Sequence, residues 1–247
     1  MSYYRTNAIY ESLCKEEGHR FFWVSGNAWM LLYGSSDAEV KAIVFVSGRS
    51  WKPRGDIISL IESISHNSGV PLLFVNFDDS AKEIEGVEFR KIGQDFTSLS
   101  LEELRDEFSS VGLPVKGGMC GKCVNDSTSS AYHKWQRENL GSSITVSDID
   151  LIRVGENGDP IEAIELKRSF FPLNRWRPYP DDFPNFNVVL SLCEKAEMRF
   201  TIAYNVRETK PSFFDDPSRI SIFSYPRRNY PIMVGEVSLQ EFVEGFY

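Results

Sequence analysis

Apolar runs that fit buried β-strands alternate with segments that fit amphipathic helices, and this alternation constrains the fold more than any other feature of the chain. Residues 40–48 (VKAIVFVSG) and 71–77 (PLLFVNF) are almost continuously apolar, which is typical of buried strands. Between them, residues 56–69 space their apolar side chains as a helix does, with Asp56 at the start and Gly69 at the end. The pattern predicts an α/β fold with a mixed central β-sheet flanked by helices.

The order of elements in the first half of the chain returns in the second half, together with local sequence similarity. Four matches occur in the same order: 29–48 with 150–169, Trp51–Asp56 with Trp176–Asp181, 74–76 with 203–205, and Ser100–Phe108 with Ser238–Phe246. This series of matches predicts an internal duplication. We expect two related lobes, at 1–112 and 131–247, joined by a Gly- and Ser-rich linker at 113–130.

Charged residues occupy alternate positions on two predicted strands around residues 144–168. Asp148 and Asp150 lie two residues apart on the first strand, and Glu165 and Lys167 lie two apart on the second, after a GENGD turn. Side chains two residues apart share one face of a strand, so an antiparallel hairpin would bring these groups together. Charges in an otherwise apolar strand are costly unless they are paired or bind metal. The combination favours a functional site over a solvated Glu-Lys pair.

This set of side chains suits a divalent cation and a phosphate. Mg²⁺ prefers oxygen ligands and is usually held by one or two protein carboxylates together with phosphate oxygens. The cation can lower the pKa of a bound water and neutralise charge that builds on a phosphoryl group. A neighbouring lysine can orient the attacking water or stabilise the pentacoordinate phosphorus. We therefore expect Mg²⁺ or Mn²⁺ as the cofactor.

The series helix, strand with Asp, turn, strand with Glu-x-Lys, helix, strand resembles the PD-(D/E)xK nuclease superfamily, which has the restriction-endonuclease-like fold. The resemblance covers about residues 131–206. It implies metal-dependent hydrolysis of phosphodiester bonds, mostly in DNA. It also implies that Asp150 and Glu165 are metal ligands and that Lys167 assists the attacking water.

Two further carboxylates enter through the same resemblance. Several branches of the superfamily add a glutamate ligand from the preceding helix, and Glu138 occupies that place. No proline precedes the motif aspartate here, which leaves open whether Asp148 or Asp150 is the principal ligand. We prefer Asp150, with Asp148 as an accessory ligand.

The expected duplication has consequences for this site. In the gap-free alignment the first copy places Trp29, Val44 and Val46 opposite Asp150, Glu165 and Lys167. Apolar residues at these positions are what a catalytically silent copy would contain. We therefore expect a degenerate N-terminal nuclease-like lobe and a catalytic C-terminal lobe.

A segment rich in arginine and aromatic residues follows the strand that carries Glu-x-Lys. Interleaved basic and aromatic side chains suit phosphate contacts combined with base stacking. A loop that packs over the core, with its arginines in solvent, would show the same composition. The candidate substrate-binding residues are Arg168, Arg175, Trp176, Arg177 and Tyr179.

A Cys-x-x-Cys pair lies in the Gly-rich linker, at Cys120 and Cys123. With His133 it would supply three ligands for zinc, whereas a structural zinc site needs four, and the sequence does not identify the fourth. A redox pair and two plain reduced thiols are the alternatives. His133 could equally lie on a helix surface or face the active cleft.

Charge and hydropathy restrict the partners and the location. The chain has 27 Lys and Arg against 35 Asp and Glu, a net charge of −8, which argues against binding to nucleic acid through bulk charge alone but allows a local basic groove. The sequence shows no apolar run of membrane-spanning length and no signal-peptide pattern. We expect a cytoplasmic protein with no membrane association.

The sequence thus predicts a metal-dependent endonuclease, with DNA as the foremost substrate and a restriction, repair or recombination role. A homodimer would allow cleavage of both strands. The main alternative is a non-catalytic interaction module that kept the nuclease fold, which the overall acidity would favour. A nuclease acting on RNA is a third interpretation, which substrate tests alone would separate from DNA cleavage.

Overall fold

The computed structural model describes residues 7–15, 20–24, 26–52, 54–118 and 130–247. The helices are α1 (Ala8–Leu13), α2 (Gly55–Ser68), α3 (Leu101–Ser110), α4 (Ala131–Asn139), α5 (Phe183–Lys195) and α6 (Leu239–Glu244). The strands are β1 (Phe21–Phe22), β2 (Ala28–Ser35), β3 (Val40–Gly48), β4 (Leu72–Phe77), β5 (Gly86–Lys91), β6 (Thr97–Ser100), β7 (Ile144–Asp148), β8 (Leu151–Val154), β9 (Pro160–Ser169), β10 (Arg199–Glu208), β11 (Phe214–Ser224) and β12 (Ile232–Ser238). None of the helices in this described part of the chain combines the length and apolar character needed to cross a bilayer.

Local sequence signals account for the helix ends. Helix α2 buries its apolar side chains on one face and stops at Gly69, which adopts the left-handed conformation (φ +66°) that glycine tolerates best. Helices α3 and α6 each begin with a capping box, in which a serine and the glutamate three residues later satisfy each other's backbone N–H groups. These boxes are Ser100 with Glu103 and Ser238 with Glu241.

The strands form two mixed six-stranded sheets with the same pattern of directions. The first sheet has the order β7-β2-β3-β4-β5-β6, and the second has the order β1-β8-β9-β10-β11-β12. In each sheet the third and fourth strands are parallel and the other neighbouring pairs are antiparallel. The prediction of an α/β fold with mixed sheets flanked by helices is confirmed.

Each sheet takes its first strand from the other half of the chain. Strand β1 pairs with β8 of the second sheet, and β7 pairs with β2 of the first sheet. The sheets therefore do not separate at the expected linker at 113–130, part of which lies outside the described residues. The two halves are joined by exchanged strands, so neither half completes its own sheet.

The sheets stack with helices α2 and α5 buried between them. Side chains from both helices and from the facing sides of both sheets make up one apolar cluster, in which α2 also contacts α5. Helices α3 and α4 cover the outer face of the first sheet, and α1 and α6 cover the outer face of the second. The central layer is thus shared by the two halves.

Strand register gives the positions that correspond in the two sheets. Ile43 pairs with Leu72 across the parallel strands of the first sheet, and Ala163 pairs with Phe200 in the second. All four side chains lie in the shared central cluster. Across the neighbouring antiparallel strands, Leu32 pairs with Ile43 and Ile152 pairs with Ala163. The position of Ile43 thus matches that of Ala163, 120 residues later, rather than 121 as in the gap-free sequence alignment.

A shift of one residue turns every side chain of a strand to the other face. In the first sheet the structural counterparts of Asp150, Glu165 and Lys167 are therefore Met30, Phe45 and Ser47, and the sequence alignment to Trp29, Val44 and Val46 is off by one. Because these three residues carry no charge, the first sheet still lacks the charged group that the second sheet has at the same place.

A buried ion pair ties the second sheet to the C-terminal segment. Arg153 on β8 donates to Glu162 on β9 at 2.8 Å, and also to the carbonyls of Phe242 (2.6 Å) and Val243 (2.8 Å) at the end of α6. Glu162 accepts a further hydrogen bond from the Thr201 hydroxyl at 2.6 Å. The positive guanidinium at a helix C-terminus is favourable, and this carboxylate accepts several hydrogen bonds that offset its burial.

Replacing Arg153 by Met should destabilise the protein strongly, because Glu162 would stay buried without its main partner. We expect a loss of about 3–5 kcal/mol in the free energy of unfolding, measured by urea denaturation. Arg219→Met is the matched control, since Arg219 is half-exposed and lies 3.8 Å from Glu236. The control should lose no more than about 1 kcal/mol. Equal losses in the two variants would contradict this assignment.

Candidate active site

Three of the predicted site residues come together where the second sheet meets α5. Asp150 directly precedes β8, and Glu165 and Lys167 alternate on β9, so the strand directs them to one face. That face looks toward the space between the sheets, where the Lys167 ammonium lies 5.4 Å from the centre of the Phe186 ring. The predicted hairpin is present between β8 and β9. The strand expected to carry both aspartates is divided, however: Asp148 ends β7 in the first sheet, whereas Asp150 precedes β8 in the second.

Hydrogen bonds fix the carboxylates and the ammonium relative to one another. The backbone N–H of Leu166 donates to Asp150 Oδ2 at 2.8 Å, across the β8–β9 pair. Lys167 Nζ lies 2.8 Å from Glu165 Oε1. The Tyr10 hydroxyl on α1 donates to the carbonyl of Asp150 at 3.0 Å. The acidic site is thus attached to the backbone of two strands and to the exchanged N-terminal segment.

Asp182 is a fourth charged member that sequence reasoning missed. It ends the 3₁₀ turn Pro180–Asp182 before α5, and its Oδ2 lies 3.7 Å from Lys167 Nζ. The signal in the sequence was an acidic pair directly before a predicted helix. A short-range pattern could not show that this helix starts beside β9.

Burial and like charges dominate the electrostatics of the two carboxylates. Burial, followed by the negative charges of Glu165 and Asp148, raises the pKa of Asp150 well above its ordinary value. Burial also raises the pKa of Glu165, although the nearby Lys167 opposes this. Both acids are therefore held in an environment that disfavours their full ionisation.

Lys167 is held in its charged form. Burial alone would lower the pKa of its ammonium, but the negative charges of Glu165 and Asp182 outweigh burial and raise the pKa above its ordinary value. Lys167 therefore acts here as a cation and hydrogen-bond donor rather than as a base.

The oxygen donors present fit a hard divalent cation. Two buried carboxylates that repel each other gain from a cation between them, and Mg²⁺ needs only one or two protein carboxylates. Across the described ranges, no group of three or more His, Cys, Asp or Glu side chains is arranged to hold a metal ion. The fit therefore depends on Asp150 and Glu165, with remaining ligands from water or phosphate.

The structure does not bring Glu138 to these carboxylates. Helix α4 buries Tyr132 and Trp135 against the outer face of the first sheet and leaves Glu138 exposed. Among the described residues, Glu138 forms no hydrogen bond or ion pair with Asp150 or Glu165. The order of elements alone predicted a position for Glu138 beside the carboxylates. In the structure, α4 packs on the first sheet, which β7 also joins.

Arg168 also lies away from the site. It follows Lys167 on β9, so it points to the opposite face, where it is buried and pairs with Asp215 at 3.1 Å. Asp215 also accepts the backbone N–H of Ala8 at the start of α1, at 3.0 Å. Arg168 thus helps to hold the N-terminal helix, and its predicted contact with substrate is not supported by this position.

The arginine-rich segment divides into a buried part and an exposed part. Trp176 is 2% exposed and stacks on Tyr204 with the ring centroids 4.2 Å apart, so it belongs to the central core and is not available for base stacking. Arg175, Arg177 and Tyr179 are exposed on the segment that ends at Asp182, beside Lys167. They remain candidate substrate contacts.

The proposed zinc ligands receive little support. Cys120 and Cys123 lie outside the described residues. His133 is on α4, where its Nδ1 lies 2.8 Å from the Ser130 hydroxyl and its ring lies 4.6 Å from that of Trp29. The ring is engaged by neighbours on the first sheet and its own helix cap.

Comparison with known proteins gives no family: no family model, no curated protein and no solved structure matches this chain. The geometry of the charged residues and the topology that holds them are therefore the basis for inferring a function.

Trp176→Ala should lower the free energy of unfolding by about 3–5 kcal/mol, because a large buried ring that stacks on Tyr204 would be lost. Tyr179→Ala is the matched control, since its ring is 47% exposed, and we expect a change of about 0.5 kcal/mol or less. Urea denaturation measures both. A mild effect of the Trp176 variant would return this residue to the list of substrate contacts.

Asp150→Asn should stabilise the protein at pH 8, since a group with a raised pKa in the folded state costs stability once it is ionised. The gain should be about 1 kcal/mol or more and should shrink as the pH falls toward 4, because the carboxyl is then protonated in the unfolded chain as well as in the folded protein. Unfolding is measured by urea denaturation in EDTA. Asp95→Asn, at an exposed turn, is the control. A gain that is independent of pH would contradict the explanation.

Proposed function

We propose that the protein is a metal-dependent phosphodiesterase of the PD-(D/E)xK kind, acting as an endonuclease with DNA as the foremost substrate. The observation that carries the proposal is the convergence of Asp150, Glu165 and Lys167 at one largely buried site beside α5. The order of β8, β9, α5 and β10 supports it, because the resemblance implies a strand, a turn, a strand, a helix and a strand, whereas α4 and β7 join the first sheet.

Asp150 and Glu165 would hold the cation, and Asp148 adds negative potential at the same place. When bound, Mg²⁺ supplies charge neutralisation for the phosphoryl group and a water of lowered pKa. The two carboxylates then stay ionised, because the cation offsets their mutual repulsion and their burial. The Leu166 N–H keeps Asp150 oriented through Oδ2.

Lys167 would donate to the scissile phosphate or to the attacking water. Its ammonium keeps its charge, so it stabilises negative charge that develops in the transition state. Glu165 and Asp182 hold the ammonium in position through contacts of 2.8 and 3.7 Å. The exposed Arg175, Arg177 and Tyr179 lie on the segment that leads to Asp182, and they suit contacts with a nucleic-acid backbone and its bases.

We further propose that the chain arose by duplication, with one catalytic and one silent copy. Support comes from the identical strand order and directions of the two sheets and from the matching capping boxes at their last strands. The exchange of β1 and β7 is reciprocal, as expected for two copies that once associated as a dimer. With one catalytic copy per chain, one chain would nick DNA and two chains would be needed to cut both strands.

Lys167→Met should reduce cleavage by about 100-fold or more while keeping the packing of the side chain on Phe186. The assay uses supercoiled plasmid, single-stranded DNA and single-stranded RNA with Mg²⁺ or Mn²⁺, and EDTA should abolish the activity. Lys134→Met is the matched control, since Lys134 is exposed on α4 and pairs with Glu83. Nicked plasmid should appear before linear plasmid.

Three results would change this conclusion. Cleavage of RNA alone would keep the mechanism and replace the substrate. Full activity of the Lys167 variant would remove the proposed site. Absence of cleavage together with absence of metal binding in calorimetry would favour the interaction module, in which Lys167 and Glu165 form only a structural ion pair.

A further inference from the structure

A cavity of about 370 Å³ opens on the first sheet, near the ends of β3 and β4. Its walls are mainly aromatic, from Phe45, Trp51, Phe74 and Phe96. The volume lies in the range of small-molecule sites, which are usually lined by apolar and aromatic groups with a few polar ones.

The cavity occupies the place on the first sheet that the charged site occupies on the second. Phe45 and Ser47 line it and are the structural counterparts of Glu165 and Lys167. Ile58, which also lines it, is the fourth residue of α2, as Phe186 is the fourth residue of α5. The same part of the fold thus carries a charged site in one sheet and an open aromatic cavity in the other.

Polar groups are concentrated along one side of this cavity. The Arg90 guanidinium lies 3.7 Å from the centre of the Phe74 ring and 5.3 Å from that of Phe96, so it extends the flat wall. Glu88 lines the cavity and accepts a hydrogen bond from the Ser98 hydroxyl at 2.7 Å. The Asn76 amide donates to Ser47 at 3.1 Å. A carboxylate, an amide and a guanidinium therefore face the same space.

We propose that this cavity binds a nucleobase. Flat aromatic walls stack on a planar ring, and each base offers such a face. Asn and Glu side chains suit the donor and acceptor groups on a base edge. Exposed Arg49, Lys52 and Arg54 follow β3 next to Trp51 and would lie near the phosphate attached to the base.

The base can belong to a free nucleotide or to a single strand of nucleic acid, and both present the same chemistry to the cavity. The proposal does not rest on cleavage, because the cavity shares no residue with Asp150, Glu165 and Lys167. In a nuclease it would hold an unpaired base on the sheet opposite the reacting phosphate.

Calorimetry on the full chain in EDTA tests the proposal, with the four nucleoside 5′-monophosphates, ribose 5-phosphate and a single-stranded oligonucleotide of about ten residues. The base-containing ligands should bind, and Phe96→Ala should weaken them about tenfold or more by removing a stacking wall. Phe96 is 48% exposed, so the fold should survive this change. Phe246→Ala is the matched control, because Phe246 is 68% exposed and follows α6, which covers the second sheet.

Binding of the monophosphates assigns the cavity to free nucleotides, and binding of the oligonucleotide alone assigns it to a base within a strand. Equal binding of ribose 5-phosphate, no binding at millimolar concentration, or unchanged affinity in the Phe96 variant would overturn the proposal. Lys134→Met, which changes an exposed lysine of α4 outside both sites, should bind as the wild type does. Nucleotide binding without nuclease activity would thus refute the proposed cleavage and keep this site.

Discussion

The burial of α2 and α5 between two sheets is the constraint on which the rest of the structure depends. Each helix has apolar side chains for both sheets, so the central layer is stable only when the two halves of the chain stack on each other. The exchange of β1 and β7 adds backbone hydrogen bonds to the same association. The position of the charged site at the start of α5 therefore depends on packing between the two halves of the chain.

This arrangement explains why charge can exist at the site. The second sheet holds Glu162 with Arg153, and Asp215 with Arg168, on its outer face, where each acid has a guanidinium partner. On the inner face, the Lys167 ammonium pairs with Glu165 and Asp182, and burial raises the pKa of both Asp150 and Glu165. Each ion pair on the outer face balances one carboxylate with one guanidinium. On the inner face, by contrast, negative charge exceeds positive charge. An imbalance of this kind is a common property of functional sites.

Much of the site could be predicted because it depends on short-range geometry. The alternation of side chains along a strand places Glu165 and Lys167 together, and the hairpin brings Asp150 to them. The same rule puts Arg168 on the opposite face of β9 from Lys167. The prediction of Arg168 as a substrate contact was based on the composition of its segment and did not apply this rule. The positions of Trp176 and Glu138 could be known only from the packing. The Trp176 ring stacks on Tyr204 in the core, and the helix that carries Glu138 packs on the first sheet, which β7 joins.

The sequence by itself determined the alternation of strands and helices, the recurrence of their order, and the charged residues on one strand face, because these follow from side-chain period and helix capping over a few residues. Tertiary structure decided which sheet each strand joins, the one-residue register between the two halves, the approach of Asp182 to Lys167, and the cavity beside Phe45. Those features depend on contacts between residues far apart in the chain, where many pairings have similar local energies and the best burial of apolar surface selects one.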